Sequence, residues 1–133
     1  MYYHVWFGTR DRKWLLQGDV LTAVIELLWE ISRSQGIRLL ECEPMVEHMH
    51  VLLDVDPSEL PTAVKLLKGT SSRRLFQRFS ELKLDANTNH LWQKRYGAKE
   101  VETAALERVR AYIRTQEDRP EKFDRAPRVP GRP

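Results

Sequence analysis

Cysteine is almost missing from this 133-residue chain: Cys42 stands alone, so no disulfide can form within it. A fold that must hold without cross-links fits a reducing compartment, and cytoplasm is the expected location. Long apolar runs are missing too. The richest stretch, "VLTAVIELLW", is interrupted by Glu26 and falls well short of the roughly 20 residues that cross a bilayer, so no membrane partner is expected. The opening "MYYHVWFGTRDRK" has neither an apolar h-region nor a small-residue cleavage site, which argues against a secretory signal. No internal repeat is visible.

What is present is an ordinary globular composition, 41% apolar and 31% charged, long enough for one domain with a real core. The net charge of +3 and pI near 9.2 are a mild bias, but the charge is unevenly spread. Between Leu60 and Lys83 stand Lys65, Lys68, Arg73, Arg74, Arg78 and Lys83 against Glu81 alone. A clustered positive field suits a polyanion such as nucleic acid, with a solvated helix face as the plainer alternative.

Hydrophobic periodicity predicts the element order. "YYHVWFGT" (2–9) reads as a strand. A helix capped by Asp19 follows, with an apolar stripe of Val20, Val24, Leu27, Leu28 and Ile31, stopped by Gly36. "IRLLECEPMV" (37–46) and "HMHVLLDV" (48–55) read as a hairpin, with Pro44 marking a bend or an edge. A second helix, capped by Ser58 or Asp56 with Pro61 in its first turn, runs to about Leu84 and turns Val64, Leu67, Leu75, Phe79 and Leu82 inward. "LWQKRYGA" (91–98) reads as a fourth strand. A last helix spans about Glu102 to Asp118, with Ala105, Val109 and Ile113 buried. Residues 1–118 form the expected domain, and "RPEKFDRAPRVPGRP" (119–133), with four prolines, the expected flexible tail. The order βαββαβ plus a C-terminal helix is the ferredoxin-like α+β arrangement: a four-stranded antiparallel sheet with helices on one face and the other face open.

Strand alternation places His48, His50, Leu52 and Asp54 on one face and Met49, Val51, Leu53 and Val55 on the other. The second set is apolar and must face the helices, so the histidines emerge on the open face. Residues two apart rise roughly 6.6 Å along a strand, close enough for two imidazoles to share an ion. Two ligands are not a site, and a lone H-x-H on a strand is more often chance or surface decoration. Tyr112 and Gln116, four apart on the last helix, share one face about a turn apart. The glutamine oxygen suits a hard ion and the tyrosine a nucleophile or acid, against the plainer reading of a half-buried Tyr and a solvated Gln.

Taken together, "YHVWFGTRDR", "HMHVLL", "LKGTSSRRLF" (67–76), the "LW" pair and "YIRTQ" resemble the HUH single-strand transposases, specifically the one-tyrosine class of the insertion-sequence 200/605 family. The likeness runs from about Tyr3 to Asp118. It implies a prokaryotic, metal-dependent DNA transposase that cleaves and rejoins single-stranded DNA through a 5′-phosphotyrosine intermediate. By the same likeness His48, His50 and Gln116 hold Mg²⁺ or Mn²⁺, and Tyr112 is the nucleophile. The partners would be an imperfect DNA hairpin at the element ends and a second copy of the chain, with active sites shared between the two subunits of a homodimer. Whether the tyrosine helix reaches its own or its neighbour's histidines stays open. Glu47 stands where the family favours aspartate and preserves a charge-balancing role.

In this reading Lys65, Lys68, Ser72, Arg73 and Arg74 contact DNA. Trp6 and His4, on one face of the first strand, either stack on bases or pack at an interface. Tyr96, read as a strand residue, is the competing tyrosine, and Cys42 is a packing residue. The alternative class is a non-catalytic hairpin-, RNA- or single-strand-binding module of the same fold, against which the central strand offers histidines where such modules use aromatics.

Overall fold

The computed structural model describes residues 1–86 and 90–115. The strands are β1 (Tyr2–Gly8), β2 (Arg38–Pro44), β3 (His48–Asp54) and β4 (Gly97–Val101); the helices are α1 (Gly18–Gln35), α2 (Leu60–Arg78), α3 (Leu82–Ala86) and α4 (Leu106–Arg114). The sheet is antiparallel in the order β2-β3-β1-β4, so the first and third strands are central. This is the expected α+β architecture. Gln116, the boundary at 118 and the tail at 119–133 lie outside the described residues.

Period-2 alternation buries Val5 and Phe7 of β1, and Met49, Val51 and Leu53 of β3, against α1 and α2. The stripe of α1 joins them through Ala23, Val24, Leu27, Leu28 and Ile31. Gly36 ends that helix at φ 68°, a left-handed position glycine adopts without strain. The helix begins one residue before the expected cap: Gln17 holds the cap position without a side-chain bond, and Asp19 lies in the first turn, where its charge favours the helix dipole. Asp56 does cap, accepting from the Ser58 amide at 3.2 Å in the turn before α2.

Three expectations change. The helix read to Leu84 stops at Arg78, because Phe79 leaves helical backbone at ψ 87°; the chain turns and restarts as α3, which returns Leu82 to the core. The spacing 75, 79, 82 hides that break.

The fourth strand lies at 97–101, not 91–98. Leu91 and Trp92 instead plug the core, both nearly inaccessible. Trp92 makes only an isolated bridge to Thr9, meets Phe7 edge-on at 4.8 Å and donates its indole N–H to Ser71 Oγ at 2.9 Å. The true strand, "GAKEV", is an exposed edge without apolar alternation. Tyr96 therefore precedes the strand. Gly97 pairs with Trp6, whose indole covers it so closely that a Cβ there would overlap the ring.

The sheet face expected to be open is partly covered. After a 3-10 turn at Thr103–Ala105, α4 packs on β2 and β3, and Ile113 joins Leu52 and Val101 in a second small core. Of the three residues expected inside on this helix, Ile113 is fully buried, while Ala105 and Val109 are half-buried. A register shift between Leu39 and Glu41 turns Glu41 opposite Leu52, onto the face of α4. Arg110 and Arg114 of α4 both reach it, at 2.8 and 3.1 Å. Burial pushes the Glu41 carboxyl up, but the two guanidinium groups outweigh it and hold it below the usual range.

Candidate active site

At the end of the sheet that α4 leaves uncovered, a cavity of about 690 Å³ opens. His4 and Trp6 enter it from β1, Glu47, His48 and His50 from the start of β3, and Tyr112 from α4. Arg12, Arg95 and Lys99 add positive charge to its wall. The alternation argument is upheld: His48 and His50 point to the same side, with ring centroids 4.9 Å apart and their Nε2 atoms 3.1 Å apart.

The partners of each imidazole are fixed by neighbours. Glu47 Oε1 lies 2.8 Å from His48 Nδ1, and a carboxylate only accepts, so His48 carries its hydrogen on Nδ1 and turns its Nε2 inward. Arg12 Nε donates to the other Glu47 oxygen at 2.6 Å. Burial raises the Glu47 carboxyl, but the hydrogen bonds and charges of His48 and Arg12 overcome it and bring the pKa down to about 2. The Glu47 side chain is only 11% exposed, so water screens these contacts little. A folded-state pKa of about 2 against an ordinary value of 4.5 makes Glu47 stabilising above pH 4.5, with that contribution lost as pH falls toward 2. Urea unfolding of Glu47→Gln should show a shallower decline in stability between pH 5 and 2 than the parent chain, and an equal decline would mean the carboxylate contributes nothing.

His50 is engaged at both ring nitrogens, by His48 at Nε2 and by His4 Nε2 at its Nδ1, 2.9 Å away. His4 in turn meets Tyr112 edge-on, with centroids 6.3 Å apart. Tyr112 is half-buried on the cavity wall of its own chain. Among the described residues no group of three His, Cys, Asp or Glu side chains forms a metal cluster. The His48–His50 pair nevertheless fits two neighbouring ligands of one ion: bonds of about 2.1 Å at right angles separate their donor atoms by about 3.0 Å. Gln116, the third ligand implied by the resemblance, lies outside the described residues.

The basic helix lines a second cavity of about 770 Å³, between α2 and residues 90–96. Lys65, Lys68, Ser72 and Arg73 open onto it, joined by Arg10, Lys83 and Lys94. Their roles differ. Lys68 Nζ donates to the carbonyls of Lys94 and Arg95 at 3.1 and 3.3 Å and lies over the rings of Phe7 and Tyr96; burial lowers its pKa. Ser72 Oγ accepts from the Leu91 amide at 3.0 Å. Arg74 turns away from the cavity and pairs with Glu30 of α1 at 3.1 Å. Residues 93–96 form the wall between the cavities, since Gln93 and Tyr96 line both. Cys42 donates to the Met49 sulfur at 3.7 Å, and burial, with Glu43 and Glu41 beside it, pushes its thiol up to about 12. That agrees with a packing residue.

Sequence reasoning missed the cations Arg10, Arg12, Lys94, Arg95 and Lys99 of the cavity walls. It considered His4 for base stacking or for packing, not as a partner of His50, because nothing local in "YYHVWFG" reveals which imidazole it will meet.

A protein-family model described as "Transposase IS200 like" matches residues 1–116. The ISDra2 transposase TnpA of Deinococcus radiodurans is 30% identical over 118 residues, 88% of this chain and 84% of that one. The transposase for insertion sequence element IS200 of Salmonella typhimurium is 30% identical over 95 residues, 71% of this chain and 62% of that one. A crystal structure of a candidate transposase from Deinococcus radiodurans R1 superposes with a TM-score of 0.70 and 31% identity, covering 87% of this chain and 90% of that one. A REP-associated tyrosine transposase bound to a REP hairpin shares the fold alone, at TM-score 0.61 and 12% identity, over 88% and 66% of the two chains. On the extent of the family match and of the relatives' identity, this chain belongs to the IS200-like transposase family.

Proposed function

We propose that this transposase cleaves and rejoins single-stranded DNA with Tyr112 as nucleophile and His48 and His50 as ligands of a divalent ion, Mg²⁺ or Mn²⁺. One observation carries the reading: Tyr112 lines the same cavity as two histidines whose Nε2 atoms converge to 3.1 Å. Gln116 is assigned as the third ligand on the resemblance alone. The bound ion would polarise the scissile phosphate and offset charge developing on its oxygens.

The chain's own residues do the rest. Arg12, Arg95 and Lys99 give the cavity a positive wall for the phosphodiester backbone. The Tyr112 oxygen gives its proton to water and attacks the phosphorus, the bond from phosphorus to the 3′-oxygen breaks, and that oxygen takes a proton back from water to leave as a 3′-hydroxyl. The 5′-phosphate remains on the tyrosine. Because the phosphodiester energy is kept in that link, a 3′-hydroxyl from another strand can reverse the step without ATP.

Lys65, Lys68 and Arg73 are proposed phosphate contacts in the α2 cavity, with Ser72 bracing its far wall and Arg74 contacting backbone beyond the rim. Recognition of an imperfect hairpin is supported by the REP hairpin bound to a tyrosine transposase of the same fold, and its placement here by the cations that line the α2 cavity. The assembly proposed is a homodimer. In that homodimer the active sites are shared between the subunits; within one chain α4 docks through Glu41 and brings Tyr112 to the wall of the histidine cavity.

The test is to incubate the chain with single-stranded oligonucleotides bearing candidate element ends and Mn²⁺, then denature. A protein–DNA adduct that a chelator prevents, with the nucleotide mapped by mass spectrometry to the peptide containing Tyr112, is the expected result. Tight hairpin binding without any adduct across a panel of element ends would instead favour the non-catalytic binding module.

A further inference from the structure

The two histidines of the candidate ion site are not held alike. For both Nε2 atoms to face one ion, each ring must carry its hydrogen on Nδ1, and each Nδ1–H needs an acceptor. For His48 that acceptor is Glu47. His50 is 8% exposed, and Nε2 of His4 lies 2.9 Å from its Nδ1.

We propose that His4 is a positioning residue for His50: its Nε2 accepts the His50 Nδ1–H and so turns the His50 Nε2 lone pair toward the ion. His4 does for one ligand what Glu47 does for the other, but without adding a charge. Its own place is set by β1, where Val5 and Phe7 anchor the strand in the core and leave His4 on the α4 face. Trp6 flanks its ring at 5.2 Å and Tyr112 meets it edge-on, so His4 touches both the proposed ligand and the proposed nucleophile. Met49 and Val51, on either side of His50, point into the core.

The inference rests on reading His48 and His50 as ion ligands, and the experiment separates the two. Mn²⁺ binding to the full chain is measured by electron paramagnetic resonance, and the imidazole ¹⁵N spectrum is recorded with Mg²⁺. The parent chain should bind Mn²⁺ and show His50 as the Nδ1–H form when Mg²⁺ is bound. His4→Phe should weaken Mn²⁺ binding by about 10-fold or more, and His4→Gln, whose amide oxygen can accept, should recover most of it. Equal Mn²⁺ affinity in parent and His4→Phe, or an Nε2–H form of His4 with Mg²⁺ bound, would overturn the role of His4 while leaving the ion site standing. A parent chain that binds no Mn²⁺ would overturn the ion reading and this inference with it. The spectrum needs no variant, so a poorly folded His4→Phe does not remove the test.

Discussion

Tyr112→Phe is expected to bind the same DNA as the parent chain and to leave no covalent adduct. The exchange removes one hydroxyl from a half-buried ring that packs beside Ile113, Leu52 and Val101, so the docking of α4 should survive it. What disappears is the only atom on that side chain able to attack phosphorus. Adduct formation should therefore fall below detection while hairpin affinity and the urea midpoint stay within error. An adduct that persists would move the nucleophile, and Tyr96, on the wall shared by both cavities, would be the first place to look. That outcome would also detach α4 from the chemistry altogether.

Trp92→Ala should be the most damaging single change to stability. Trp92 is 4% exposed, edge-on to Phe7, and its N–H is the partner of a fully buried Ser71 hydroxyl. Truncating such a side chain leaves a cavity that the surrounding residues fill only in part, at a cost of about 3–5 kcal/mol. Trp92→Phe keeps most of the volume and forfeits the hydrogen bond, a loss of about 1 kcal/mol. Urea unfolding with a lowered midpoint and an unchanged slope measures both. A loss below about 1 kcal/mol for the alanine variant would mean the 91–96 segment is held by something else, with the Lys68 bonds to carbonyls 94 and 95 as the first candidate. Because that segment walls both cavities, DNA binding and adduct formation should decline together in Trp92→Ala, unlike in Tyr112→Phe.

What could be read from the chain in advance follows the range over which each signal acts. The stripe of α1, the β2–β3 hairpin and the facing of His48 and His50 depend on backbone periods of a few residues, and they stand as expected. The placement of β4 depends on something else. Its residues are half-exposed at the sheet edge and carry no apolar alternation, whereas Leu91 and Trp92 look like a strand because they are buried for another reason. Glu41 was invisible as an anchor because a one-residue register shift puts it on the face its sequence parity denies. The meeting of His4 with His50 spans 46 positions and exists only because β1 is inserted beside β3. Arg74 belonged by spacing to a basic helix face, but a carboxylate on the neighbouring helix draws it away from the cavity.

The candidate site draws on the first strand, the middle hairpin and the last described helix, with Tyr112 more than a hundred residues from His4. No stretch of chain short of nearly the whole domain contains Tyr112 and the imidazoles together. During synthesis the histidine cavity can assemble only once β1 and β3 have paired, and Tyr112 joins it last, after α4 has emerged and closed on Glu41. On the proposed reading a growing polypeptide could hold DNA along α2 before it could cut it, because Tyr112 is added only after nearly the whole domain.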